Sequence, residues 1–319
     1  MFREVQNQSQ INQGLSIAQQ YNNGLSGWAG EALARRDFHL ISPLLKSFDF
    51  NVVRNSAGKK TFLYQACRKL LGKDTPNYAQ EIGDCVSFAT KNGCEHLSCC
   101  DIIIRGDREK FRLHFPPWYY GASRVLIGGW DNDFGDGSLV SYAAKAVMKY
   151  GCLFNDEPNV PQYSGSVAKQ WGAKRNLLTP WQPITQKYLV KSAALISTWE
   201  EFVAAITNGY PIITGSSVGY AMKASSDGFH RQQGQWNHAL TFIGVDDRAN
   251  DPYALILNSW GDVHGELKDF DSDEILPVGV LRVRKADAMK HVAAGETFAL
   301  SQFDGFPETG LDKLLFKLI

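Results

Sequence analysis

No stretch of this chain is apolar enough to span a bilayer, and its start, Met1-Phe2-Arg3-Glu4-Val5-Gln6, lacks the apolar region of a signal peptide. Neither a membrane protein nor an exported one is expected; a cytoplasmic location is. An excess of one charge sign is also missing, with 33 basic and 33 acidic side chains and no long basic run, so no nucleic-acid partner is expected. Cysteine is sparse, six residues in 319, and without a secretory signal reduced thiols are the default over a disulfide framework. Metal spacings are absent as well. Cys94-Glu95-His96 followed by Cys99-Cys100 lacks the paired Cys-x-x-Cys of structural zinc sites, and Cys94, Leu97 and Cys100 are expected to line one packed helix face. The run Asp131-Asn132-Asp133-Phe134-Gly135-Asp136-Gly137 has its glycine out of phase with a calcium loop and lacks the late glutamate, so a turn-rich surface loop is expected. No metal and no cofactor are expected, and no internal repeat is apparent.

What the chain does have is enough apolar residue, 44% with 12% aromatic, for one substantial two-lobed core plus an appendage. It also has three separated segments whose chemistry fits together: Gly83-Asp84-Cys85, Asn237-His238-Ala239 and Asn258-Ser259-Trp260-Gly261. A thiol is a good nucleophile near neutral pH only as thiolate, which requires a nearby imidazolium, a helix N-terminus, or both. Val86-Ser87-Phe88-Ala89-Thr90-Lys91 can start such a helix directly after Cys85. His238 would carry the proton, and the amide of Asn258 would orient its ring without adding charge.

Local pattern brings the last two residues together. Leu240-Thr241-Phe242-Ile243-Gly244-Val245 and Tyr253-Ala254-Leu255-Ile256-Leu257 read as buried strands joined by a polar hairpin connection from Asp246 to Pro252. Antiparallel pairing puts His238, at the start of one strand, beside Asn258, at the end of the other.

These segments resemble the nucleophile, histidine and asparagine segments of the papain and cathepsin family of cysteine peptidases. Gly137-Ser138-Leu139, leading through Ala143, Ala144 and Val147 to Tyr150-Gly151, is similar to that family's glycine-rich substrate wall and the helix after it. The run from Phe202 to Ile212 is similar to the helix, turn and strand before the histidine. The similarity covers roughly residues 75 to 300, and the spelling Gly-Asp-Cys-Val together with Tyr120-Gly121-Ala122-Ser123-Arg124-Val125 looks like a divergent bacteriophage or bacterial branch, which adds a virion-associated location to the expectations. The resemblance implies an α+β, papain-like two-lobed fold, with a helical lobe and an antiparallel β-barrel-like lobe, and an extended peptide or protein substrate in the cleft between them. It implies Cys85 as nucleophile, His238 as base, Asn258 as orienting group, and Gln80 with the Cys85 N–H as oxyanion donors. Gly137, Ser138, Trp236 and Trp260 are cleft candidates, with Tyr119 and Tyr120 as further lining, and Trp260 can shield the His238 to Asn258 bond from water.

The chain departs from the family in three places. Val86 stands where the family has tryptophan, Gln80 is one position closer to the nucleophile, and Asp84 puts a carboxylate beside the thiol, where it caps the helix but opposes thiolate formation. The expected organisation is an N-terminal extension over 1–72, a peptidase domain over 73–303 (helical to about 180, β-rich from about 181), and an amphipathic tail over 304–319. Thr61 to Gly72 reads as one short amphipathic helix, and Ser197-Thr198-Trp199-Glu200 as a capping box. Val278 to Val283 and Thr297 to Phe303 alternate like strands. The extension can be an inhibitory pro-segment, an anchoring arm or a structural flap. It lacks the charged-aromatic pattern of the family's pro-segment, so an arm for structural partners is the expectation. The tail reads as a helix docked on its own body, with a partner-docking tail as the alternative. Two functions compete with amide hydrolysis: a noncatalytic papain-fold component, as of a phage particle, and acyl transfer from the same thioester to an amine.

Overall fold

The computed structural model describes residues 27–40, 42–130, 135–248 and 250–308. The Gln- and Asn-rich run at 6–14, most of the calcium-like loop and the amphipathic stretch 311–319 lie outside them.

The centre of the molecule is the helix Cys85–Arg105, whose residues are buried on nearly every side. The sequence expectation of one packed face is therefore too narrow: Cys94, Leu97 and Cys100 are buried, and so are Lys91, Asn92 and Glu95 on the remaining faces. Lys91 is neutralised inside by Glu95 one turn on, at 2.9 Å, and also donates to the Pro76 carbonyl. Burial of a cation requires such pairing. Close packing on the sheet is possible because Gly93 has no side chain; a Cβ there would stand 2.8 Å from Ile213.

Seven strands form one sheet: β1 (Lys60–Phe62), β2 (Ser192–Leu195), β3 (Ile212–Tyr220), β4 (Gln232–Asp246), β5 (Tyr253–Leu257), β6 (Val280–Arg284) and β7 (Thr297–Ser301). Their order is β2-β7-β3-β4-β5-β6, all antiparallel, with β1 on the far end of β4. The antiparallel, papain-like α+β expectation stands; along the β2-β7-β3-β4-β5-β6 path the sheet is not closed. The hairpin β4–β5 is where the alternating apolar runs place it, with Thr241 opposite Leu257. The two last strands are shifted or shortened by two residues relative to their sequence patterns.

Residues 60–71 are continuous with this body. Lys60–Phe62 pairs with Gly244–Asp246 of β4, and the helix Tyr64–Leu71 packs on the central helix before ending at Gly72 in a left-handed conformation. The single helix expected over 61–72 is thus a strand and then a helix, because Thr61 and Phe62 complete the sheet edge. The capping box falls one residue later than read: Thr198 accepts from the Glu201 N–H, and Glu201 reaches back to the Thr198 N–H. At the other end, Phe306 packs between Phe48 and Tyr210, so the chain after β7 is docked on the body as far as it is described.

One buried side chain holds the wall that faces β4. Arg124 donates to the carbonyls of Gly172 (3.0 Å), Gly135 (2.9 Å) and Gly137. From behind, the Gly137 N–H reaches the Tyr120 hydroxyl and the Ser138 hydroxyl reaches Ser123. Tyr119 and Tyr120 are consequently buried supports and not cleft lining. Replacing Arg124 by Met would strip three carbonyls of their donor, those of buried Gly137 and Gly172 among them; a loss of about 3 kcal/mol is expected in urea unfolding, against roughly 0.5 kcal/mol for an exposed Arg108→Met control.

Candidate active site

Cys85 is the first residue of the central helix, so its sulfur lies in the field of the first-turn N–H groups. The helix points at β4, where the Ala239 N–H donates to Cys85 Sγ at 3.3 Å. The residue before Ala239 is His238, and a register shift in β4 sets its direction. Ser216 pairs with His238 and Val218 with Gln235, so β4 carries one extra residue there, and Asn237 takes a left-handed φ of 46°. A bulge of this kind re-aims the side chain beside it, and asparagine tolerates that conformation.

The imidazole is held by a directed line of hydrogen bonds. His264 Nδ1 donates to the Met222 carbonyl at 3.0 Å, which makes His264 Nε2 an acceptor for Asn258 Nδ2 at 2.7 Å. The Asn258 amide is thereby fixed with Oδ1 toward His238 Nε2, at 2.8 Å, where it also accepts from the Ser259 N–H. His238 Nε2 must then be the donor, and Nδ1 is left as the basic nitrogen of the neutral ring. Trp260 stacks on the ring with centroids 4.5 Å apart, and Trp236 lies 4.6 Å from Trp260. Both tryptophans are fully buried around the imidazole, so their surface is spent on shielding it.

His264 carries no signal in the sequence. It lies in Val263-His264-Gly265, outside any strand pattern, and only the fold shows that it fixes the asparagine.

Gln80 is also placed by this region. Its Oε1 accepts from the Ser259 hydroxyl at 2.6 Å and its backbone N–H reaches the Ser259 carbonyl, which turns the NH₂ toward the turn before Cys85, where it donates to the Ile82 carbonyl. Asp84 behaves differently from the sequence reading. Its side chain makes no cap; it is buried and accepts from the Tyr163 hydroxyl at 3.2 Å. Burial pushes its carboxyl well above the ordinary carboxylate range, partly opposed by the Tyr163 hydrogen bond, which lessens the charge that would oppose thiolate formation.

The described part of the extension does not stand away from the body. Trp28 N–H donates to the Asn237 carbonyl at 3.2 Å, Ala29 N–H to the Ser138 carbonyl at 2.9 Å, and Ser138 N–H to the Gly27 carbonyl at 3.1 Å, making a parallel bridge between Trp28 and Ser138. The Trp28 ring lies over Gly215, whose added Cβ would come within 2.6 Å of it, and its Nε1 faces buried Glu296 at 3.4 Å. Ser138 therefore pairs with the chain's own residues Gly27 to Ala29. Burial pushes the Cys85 thiol up, well above its ordinary range, against the Ala239 hydrogen bond. Burial pushes His238 down to about 3, against its bond to Asn258. Both groups are neutral near pH 7.

No protein-family profile and no curated protein sequence matches the chain. Its structure is similar to solved cysteine proteases: xylellain from Xylella fastidiosa (15% identity, TM-score 0.51, covering 81% of this chain and 91% of that one). It is similar to procathepsin B S9 from Trypanosoma congolense (12%, 0.56, 92% and 89%). The proform of Amb a 11, a major ragweed pollen allergen and cysteine protease, is similar too (15%, 0.53, 94% and 91%). The fold is the papain-like one, mixed helix and antiparallel sheet, and the resemblance read from the three sequence segments stands. None of the three is described as a phage protein.

The bond line makes a measurable statement about one proton. Imidazole nitrogen NMR near pH 7 is expected to show His238 as the Nε2–H tautomer. His264→Phe leaves the Asn258 amide without its acceptor, a change of about 1 kcal/mol, and should give a mixture of tautomers.

Proposed function

We propose that the chain is a thiol hydrolase that cleaves peptide amide bonds, kept latent by residues 27–30. The observation that carries this reading is the one-way hydrogen-bond line ending at His238, which leaves Nδ1 as the basic nitrogen, together with the bond from the next residue's N–H, that of Ala239, to the Cys85 sulfur.

Once the cover leaves, the desolvation that keeps both groups neutral is relieved, and the Cys85 proton passes to His238 Nδ1. Sγ attacks the peptide carbonyl carbon. We assign the Cys85 N–H and the Gln80 side-chain amide as donors to the developing oxyanion, each such donor contributing about 2.7 to 4 kcal/mol. The C–N bond breaks as His238 returns the proton to the amine, leaving a thioester on Cys85. Water then gives its proton to His238 and its oxygen to the acyl carbon, and the acid is released with the thiol restored.

The groove supports an extended peptide as substrate, because it already pairs with one: Trp28 and Ala29 use the Asn237 and Ser138 backbone groups that a substrate backbone would use. Two of the similar structures are pro-forms, and they cover 92% and 94% of this chain. An inhibitory cover thus replaces the structural arm as the reading of the extension. Transfer to an amine uses the same thioester, and the noncatalytic reading requires only the fold; each predicts a different product pattern.

In the full chain, Trp28→Ala removes a buried aromatic worth about 3 to 5 kcal/mol to the cover. Against a peptide library read by mass spectrometry, it should raise cleavage at least about tenfold over the parent chain. Adding Cys85→Ala should lower it at least about a thousandfold. Products carrying an added amine in place of water would favour transfer, and no turnover in folded Trp28→Ala would favour the noncatalytic component.

A further inference from the structure

Three potential metal donors that lie far apart in sequence converge in the helical lobe, well away from the cleft. Cys94 comes from the middle of the central helix, His114 from the loop after it, and Cys152 from the turn after the helix Val140–Tyr150. One donor atom of each lies within 4.8 Å of the others, and all three residues are buried. His96, the histidine that sequence places next to Cys94, is not among them; its ring is turned back to the Asn92 carbonyl.

The geometry points to a thiolate–imidazole site for a thiophilic divalent cation, zinc in the first instance, formed by Cys94, His114 and Cys152. This runs against the expectation of no metal, which rested on spacing within one helix. The backbone holding the donors is tied down on each side. His114 and Phe154 form an antiparallel bridge, flanked by bonds from Phe115 N–H to the Leu153 carbonyl and from Asn155 N–H to the Leu113 carbonyl. The His114 N–H donates to Glu95 Oε1 from the same helix as Cys94, and the Cys152 N–H donates to the Tyr188 carbonyl. The Tyr119 hydroxyl bonds His114 Nδ1 and sets the ring.

Thiolate and imidazole donors stand about 2.3 and 2.0 Å from a tetrahedral zinc ion, hence roughly 3.5 Å from one another, a closure within reach of side-chain rotation. Binding two cysteines as thiolates releases two protons and leaves zinc and its ligands with no net charge, which suits a buried site. Soft sulfur donors with imidazole select zinc over calcium or magnesium. The cluster also lines a cavity of about 590 Å³ together with Glu109, so the fourth coordination position opens onto space that can hold water or that carboxylate. The ion would join the central helix, the following loop and the turn after Gly151.

The test uses the full chain bearing Cys85→Ala, so that no metal is taken by the cleft thiol, reduced and stripped with a chelator. Cobalt is expected to bind at one equivalent and give thiolate-to-cobalt absorption in the near ultraviolet. Cys94→Ser or Cys152→Ser should abolish that absorption, and Cys99→Ser, a buried cysteine outside the cluster, should keep it. Zinc should raise the Tm of the Cys85→Ala chain by at least about 3 °C, a readout that needs no change at the cluster. Absence of cobalt absorption together with an unmoved Tm overturns the site, as does absorption that survives both serine variants.

Discussion

The contact on which the site depends is the meeting of the central helix with strand β4, where the Ala239 N–H reaches Cys85 Sγ. It joins the two lobes at one atom pair. The helix can approach because Gly93 clears Ile213, and the strand presents His238 in the right direction because the bulge at Asn237 turns it. The β4–β5 register then fixes Asn258, and Asn258 with His264 fixes which imidazole nitrogen is basic. A change in any of these local features would move the sulfur and the imidazole apart even with every site residue present.

The same burial that orders these groups keeps them neutral. A thiolate–imidazolium pair is two charges, and with Cys85 and His238 fully buried neither charge is solvated, so the thiol is pushed up and His238 down. On the proposed reading, latency then needs no distortion of the site. Asp84, which in sequence looks like an obstacle to ionisation, has its carboxyl pushed up by burial, with the Tyr163 hydrogen bond opposing, and burial thus lessens that obstacle.

Much of this is legible in the sequence, for identifiable reasons. Cys85, His238 and Asn258 stand out because their residue types are chemically complementary and because two β-type runs with a polar turn must pair, which carries His238 to Asn258. The helix Trp199–Thr207 follows from its capping signal, and the helix Val140–Tyr150 from the resemblance carried by Gly137 to Gly151. What is not legible depends on long-range burial. His264 has no local pattern, and the upward push on the Asp84 carboxyl comes from its burial in the folded chain. Thr61 and Phe62 read as helix until the edge of β4 claims them. The convergence of Cys94, His114 and Cys152 needs three separate backbone segments, so a search for close cysteine spacing looks in the wrong place. Strand patterns give pairing partners and not closure, so the open path of the sheet is not legible either.

The central claim is that Cys85 and His238 form an ionisable pair whenever the cover is loosened, and the pH dependence of Cys85 alkylation by iodoacetamide, read by peptide mass mapping, tests it most directly. In the full chain with Trp28→Ala, labelling should stay fast well below the ordinary thiol pKa of about 8.5, and His238→Ala should abolish that low-pH limb. Labelling that rises only at alkaline pH, with or without His238, would contradict the account.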